Sequence, residues 1–117
     1  MQRRPEQAIQ RAVFAHFAAR SMPGVFAFHV PNGGWRSRVE GAILKGMGVR
    51  AGVPDVIAIR EGRVYALELK AEGGALTGKQ VEVAGLLVEA GATVAVAAGL
   101  DDALYVLEEW GLLRKSV

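Results

Sequence analysis

The sequence predicts one α/β domain with a mixed sheet and helices on both faces. Apolar residues recur at helical spacing in three segments, and short apolar runs lie between them. The 117 residues, 51% hydrophobic and 22% charged, fit one globular unit spanning residues 1–117. No repeat, linker or low-complexity tract divides the chain. We therefore expect a four-stranded sheet flanked by helices, in the order α-β-β-β-α-β-α.

The first half predicts a helix, a strand and a basic loop. Residues 5–20 form the helix, because apolar side chains recur there at Ile9, Val13 and Phe17. Val25–Val30 follows as a strand and ends at a Pro-Asn-Gly-Gly turn. Residues 36–52 are basic and glycine-rich, with one short helix near Val39–Lys45. Such a segment is typical of a functional loop.

The second half opens with a hairpin. Asp55–Arg60 and Arg63–Lys70 read as two strands joined at Glu61-Gly62. Because the pair is antiparallel, opposite positions sum to about 123, which places Asp55 across from residue 68.

A helix, a strand and a helix complete the domain. Thr77–Ala90 is the first helix, and Gly91 is a natural stop. Thr93–Ala98 is a continuous apolar run, which predicts a strand buried on both faces. Asp101–Trp110 is the last helix, capped by an aspartate at 101 or 102.

Composition excludes several classes of protein. With no cysteine, the chain has no disulfide, no thiolate metal site and no cysteine nucleophile. No apolar stretch approaches the roughly 18 residues of a membrane span. The start of the chain is charged and amphipathic, unlike a signal peptide. We therefore expect a cytoplasmic protein without a membrane partner.

The charge is distributed unevenly. Residues 1–50 carry eight Lys/Arg and two acids, a net of +6, whereas residues 51–117 carry six Lys/Arg and ten acids, a net of −4. A basic half can contact nucleic-acid phosphates. Charges on a solvated surface would give the same pattern.

Three charged residues converge at one end of the hairpin. Side chains alternate along a strand, so Glu68 and Lys70 share one face, and Asp55 lies beside them on the neighbouring strand. An ordinary salt bridge is the alternative explanation, because Glu-x-Lys alone is common in strands. Pro54-Asp55 placed thirteen residues earlier, on the paired strand, makes the combination much rarer.

This set suits phosphodiester hydrolysis. The carboxylates of Asp55 and Glu68 can hold Mg²⁺ or Mn²⁺, and the backbone carbonyl of Leu69 can add a third oxygen. Such a metal lowers the pKa of bound water. A lysine such as Lys70 can orient that water and stabilise the transition state.

These residues resemble the motif of the PD-(D/E)xK nuclease superfamily, here Pro54-Asp55 and Glu68-Leu69-Lys70. More narrowly, the chain resembles the stand-alone VRR-NUC family of phage and bacterial nucleases. The likeness includes His29-Val-Pro-Asn-Gly, Gly48-Val-Arg-Ala-Gly-Val-Pro-Asp and the helix with Gln80. It implies a restriction-endonuclease-like core, a divalent metal, and cleavage of structured DNA such as four-way (Holliday) junctions by homodimers.

Two further residues are candidates for the site. Glu6 is centred on the apolar stripe of the first helix, and the family often has an acid there near the metals; a glutamate favoured by the helix dipole is the alternative. Gln80 faces the sheet, and the family often has a glutamine there that reaches the site. Thr77-Gly-Lys-Gln80 equally fits a capping box.

Contacts to DNA are expected from the basic loop and its surroundings. The candidates are Asn32, Arg36, Arg38, Arg50 and Lys79, with Trp35 able to stack on a base. His16 and His29 lack metal-ligand spacing and are interpreted as structural. Trp110, Leu112 and Leu113 are interpreted as core, with dimerisation as the alternative. Two other functions stay open: a DNA-binding domain of the same fold that does not cut, and an interaction module with an incidental salt bridge.

Overall fold

A computed structural model describes residues 4–31 and 37–115 and confirms the predicted fold class. The elements are α1 (Arg4–Arg20), β1 (Phe26–His29), α2 (Arg38–Gly46), β2 (Val56–Arg60), β3 (Arg63–Lys70), α3 (Gly78–Glu89), β4 (Thr93–Ala98) and α4 (Leu100–Glu109). α2 is the short helix expected within the basic loop. Within the described ranges, no helix is long and apolar enough to cross a bilayer.

The four strands form one sheet in the order β1-β2-β3-β4. The first three are antiparallel neighbours, and β4 runs parallel to β3. Val56 pairs with Leu67, which confirms the register predicted from the turn. Glu61 and Gly62 both have positive φ, 52° and 77°, as a tight turn matched to the strand twist requires.

The two faces of the sheet are covered differently. The core face carries Val56, Leu67 and Leu69, and it packs against α1 and α4. The residues of this core are Val13, Phe17, Val56, Ala58, Leu67, Leu69, Ala97, Ala103, Leu107, Leu112 and Leu113. The second face carries the alternate residues of β3, Ala66, Glu68 and Lys70. α3 packs beside β4, with Val83 buried, and covers the β3–β4 side of the second face.

Two local expectations were wrong. β4 is not buried on both faces, because Val96 is 43% exposed. An apolar run in the sequence does not show which faces of the strand other elements will cover. Neither aspartate is the cap of α4, because the N-cap is Gly99, with φ 89°. The side chain of Asp102 instead accepts the Ala98 N–H, one residue before the cap.

The segment after α4 belongs to the core. Leu112 and Leu113 are buried, and Trp110 packs against Tyr65 with ring centroids 5.2 Å apart. Arg20 at the end of α1 pairs with Glu108 at 2.6 Å, which attaches α1 to α4. The structural interpretation of this segment is therefore confirmed, and the buried leucines are not available as a dimer surface.

Candidate active site

The predicted carboxylates meet at the end of β3. Asp55 directly precedes β2, and its Oδ2 accepts the backbone N–H of Leu69 at 3.0 Å. This bond holds the Asp55 side chain across the end of the hairpin. Glu68 and Lys70 are 5% and 9% exposed, so both charges are largely withdrawn from solvent. Burying an acid and a base lowers the stability of the fold unless each charge is paired and hydrogen-bonded.

The pKa of Glu68 is raised to about 8. Burial of the carboxyl group is the largest cause, and the charge of Asp55 and its hydrogen bond to Glu68 come next. Lys70 acts in the opposite direction but does not offset these effects. When Asp55 and Glu68 are both ionised, too little positive charge lies nearby to balance them. A bound cation would relieve their repulsion.

Glu6 contributes to the same cluster from α1. Its side chain is half-buried, and its charge also raises the pKa of Glu68. Glu6 therefore lies close enough to Glu68 for their charges to interact, and its role at the site stays a prediction. Within residues 4–31 and 37–115, however, no three acidic, histidine or cysteine side chains converge tightly enough to enclose one metal ion.

Gln80 makes both of the contacts that its sequence position allows. Its Nε2 donates to Oε2 of Glu68 at 3.1 Å, across from α3 to β3. Its Oε1 accepts the backbone N–H of Thr77 at 2.9 Å, and Oγ1 of Thr77 accepts the N–H of Gln80 at 3.2 Å. The capping box therefore fixes the side-chain rotamer that presents the amide to Glu68. A single side-chain conformation of Gln80 therefore makes both contacts.

Gly52 lets the loop before Asp55 approach α3. A Cβ at this position would lie 2.8 Å from the carbonyl oxygen of Lys79, and the residue has φ +87°. Only glycine fits both the space and the backbone conformation. The close approach brings the Pro54-Asp55 end of the loop to the first turn of α3, which carries Gln80.

His29 has a role that the sequence patterns did not indicate. Its Nδ1 lies 2.8 Å from the backbone carbonyl of Asp55, which also accepts the N–H of Val30 at 3.0 Å. A carbonyl only accepts, so Nδ1 carries the proton in this contact. Two donors thus hold the Asp55 backbone from β1. The pairing of β1 with β2 would have revealed the contact, but that pairing was not readable from spacing.

A basic cavity of about 560 Å³ opens beside the first turn of α3. Its cationic lining consists of Lys45, Arg50 and Lys79, from three different segments. Arg50 and Lys79 are predicted DNA contacts, whereas the sequence did not single out Lys45, because a lysine on a short helix has no distinguishing pattern. Arg38 lies on α2 outside this lining. Asn32, Trp35 and Arg36 lie outside the described residues.

Comparison with solved structures gives the fold family. A structure described as "VRR_NUC domain protein" matches with a TM-score of 0.75 and 25% identity, covering 95% of this chain and 97% of that one. A second, "VRR_NUC domain", matches with a TM-score of 0.63 and 20% identity, covering 91% and 97%. The chain is a VRR-NUC-like domain. Both VRR-NUC structures are spanned almost end to end, so the likeness is that of the whole domain.

Sequence comparisons alone do not reach this result. No protein-family model matches the chain. No curated protein matches it either. The VRR-NUC resemblance inferred from the motif residues is confirmed by the fold, which is that of a nuclease family.

Proposed function

We propose that this VRR-NUC-like domain is a Mg²⁺- or Mn²⁺-dependent DNA endonuclease that cuts branched DNA as a homodimer. The observation that carries the proposal is the cluster of Asp55, Glu68 and Lys70 at the end of β3. Glu68 and Lys70 are largely buried, and a cation would relieve the repulsion between the two acids.

The donor set fits a hard divalent ion. Asp55 and Glu68 supply carboxylate oxygens, which Mg²⁺ and Mn²⁺ prefer. The N–H of Leu69 points to Asp55, while the next carbonyl, that of Lys70, accepts the N–H of Gly99 on the other side. Since the N–H and C=O of one strand residue point the same way, the Leu69 carbonyl faces Asp55 too. Glu6 would act on this set through its charge.

The chain's own residues would position the phosphate and the attacking water. A bound divalent ion would lower the pKa of water and neutralise charge on the phosphate. The ammonium of Lys70 projects from the same face as Glu68 and would donate to the attacking water or to a phosphate oxygen. Gln80 holds the Glu68 carboxylate in one orientation. Burial of Glu68 and Lys70 keeps these interactions strong.

The basic cavity supports binding of DNA beside the reacting phosphate. Within the described residues, neither Lys45 nor Arg50 has a carboxylate partner, and Lys79 pairs only loosely with Glu82, at 3.5 Å on the surface. Cations left without acidic partners favour phosphate contacts. A branched substrate presents two strands to cut, so two copies of a domain with one site would act together.

The decisive experiment is cleavage of labelled linear, flapped and four-way DNA with Mn²⁺ or with a chelator. We expect cleavage only with metal, with branched DNA cut fastest. Glu68→Gln should reduce cleavage by at least about a hundredfold, because it removes a ligand charge while keeping shape. The matched control is Glu89→Gln, an exposed glutamate at the far end of α3. DNA binding without cleavage at any metal concentration would support the non-cutting alternative.

A further inference from the structure

The helix α2 carries an apolar stripe that the described part of the chain leaves exposed. Val39, Ile43 and Met47 follow one another at four-residue spacing and are 69%, 57% and 75% exposed. No side chain of α2 is buried, although a capping box between Ser37 and Glu40 stabilises its start. We call these three residues the helix stripe. An amphipathic helix normally places such a stripe against a core.

The helix stripe points away from its own domain. The residues of α2 that line the basic cavity are Gly41, Leu44 and Lys45. At about 100° per residue, Gly41 and Lys45 lie on the side of the helix opposite Ile43, and Leu44 lies between the two sides. The chain therefore uses one side of α2 for the cavity and leaves the apolar side free.

The second face of the sheet has an apolar area, from β1 across to the start of β3, that the described residues leave exposed. Phe26 is 64% exposed, Phe28 38% and Val64 36%, and the two phenylalanine rings are 5.6 Å apart. By register, Phe26, Ile59 and Val64 form one row across the strands, and Phe28 lies in the next row with Ile57. We call the three exposed residues, Phe26, Phe28 and Val64, the strand patch. α3 covers only the opposite, β3–β4 side of this face.

We propose that two copies of this chain exchange α2, so that the helix stripe of each copy packs on the strand patch of the other. The inference deepens the homodimer of the proposed function and rests on it for its biological meaning. A ridge of apolar side chains on a helix and a flat apolar strand surface are the two halves of an ordinary α/β layer. Reciprocal exchange satisfies both surfaces in each copy with a closed two-fold symmetry.

The exposed area approaches that of a standard interface. With roughly 150–250 Å² for a whole aromatic side chain, the helix stripe and strand patch together expose on the order of 600 Å² per chain. A standard interface buries about 800 Å² per partner.

The exchange would place the partner's helix beside the active site. Phe28 directly precedes His29, whose ring contacts the Asp55 carbonyl. Ile57, in the same row as Phe28, is two residues from Asp55 along the chain. The strand patch thus adjoins the acidic cluster, and a second copy docked there would border the bound DNA.

The test measures mass by light scattering, without DNA or metal. We expect the wild-type chain of 12.4 kDa to give twice that mass. Ile43→Glu on the helix stripe and Phe26→Arg on the strand patch should each give monomers, since each damages both contacts of the symmetric dimer. Tyr105→Glu, on α4 with 62% exposure, should stay dimeric as the matched control. Circular dichroism checks that each variant is folded.

Mixing the two monomeric variants distinguishes exchange from other dimers. An Ile43→Glu chain with a Phe26→Arg chain has one undamaged contact and one of opposite charges, so the mixture should recover the dimer mass. A dimer lost with Ile43→Glu but kept with Phe26→Arg would indicate helix-to-helix pairing and overturn the proposal, as would the reverse pattern. A monomeric wild type, or an increase in mass only with another protein, would overturn it too. A dimer that never cuts DNA would refute the nuclease and leave the exchange intact.

Discussion

At Glu68, burial of an acidic group lowers the stability of the fold. Its carboxyl group is buried next to Asp55 and Lys70, and Gln80 donates to it. Burial and the neighbouring acid oppose its ionisation, although the metal ligand that we propose it to be would have to be ionised. An optimally stable protein would place an apolar side chain here. Costly polar groups held in one arrangement are typical of active sites.

The raised pKa predicts how stability depends on pH in metal-free protein. From about pH 4.5, the ordinary value of the carboxyl group, to about 8, folded Glu68 keeps a proton that the unfolded chain has released. The folded state binds more protons, so this group lowers the free energy of unfolding as pH rises through that window. The full penalty is present above about pH 8 and absent below about pH 4.5.

Glu68→Gln cannot titrate, so it should gain stability relative to wild type as pH rises through the window. Urea unfolding in the presence of a chelator, from about pH 5 to about pH 9, measures the difference. Glu89→Gln, which is exposed, should show no such trend. A stability difference between Glu68→Gln and wild type that stays constant with pH would mean that Glu68 ionises normally in the folded protein.

At the scale of elements, the site depends on how α3 begins. The capping box of Thr77 and Gln80 starts the helix and also orients the amide toward Glu68. The Gly52 loop then packs against the same turn. The Thr77–Gln80 pair and Gly52 therefore connect α3, the loop before Asp55 and the end of β3. A shift of the first turn would move Gln80 away from the acidic cluster.

Replacing Gly52 should reveal this dependence. Gly52→Ala and Gly48→Ala both place a Cβ on a residue with positive φ, 87° and 97°. Only at Gly52 does the new atom meet backbone, the carbonyl oxygen of Lys79. We expect Gly48→Ala to cost about 1–2 kcal/mol from strain alone, and Gly52→Ala about 1–3 kcal/mol more. Denaturant unfolding of both variants gives the comparison, and equal losses would show that the close approach is not restrictive.

At the scale of the whole molecule, charge and apolar surface are segregated. The acidic cluster and the basic cavity lie near the C-terminal end of β3 and the start of α3. The core face lies on the other side of the sheet, closed by α1, α4 and the buried Leu112 and Leu113. One face thus serves stability, and the opposite face carries the groups proposed for catalysis and binding.

The basic cavity predicts how DNA binding depends on salt. Each phosphate contact contributes about 0.9 to the slope of log K against log salt concentration. The double substitution Lys45→Ala with Arg50→Ala should therefore lower the slope by about 2. Arg63→Ala with Lys115→Ala removes the same charge far from the site and should change it little. Fluorescence anisotropy in a salt titration measures both, and equal slopes would place the DNA elsewhere.

Local regularities of the sequence determine the central features of the site. The Glu61-Gly62 turn sets the register of the hairpin, and strand alternation sets the shared face of Glu68 and Lys70. The position of Asp55 follows from both. Such relations depend only on backbone geometry over a few residues, which sequence spacing specifies directly. The approximate extents of the helices are equally predictable, because periodicity and capping residues are local.

Relations between distant segments are decided by packing alone. Val96 on β4 is exposed, Lys45 joins a cavity with Lys79, and His29 reaches the Asp55 carbonyl. None of these has a signature in spacing, because each depends on which layers meet and at what distance. The same reason explains Gln80, for which spacing allows a cap or a site residue. Only the packing of α3 against β3 shows that its side chain does both.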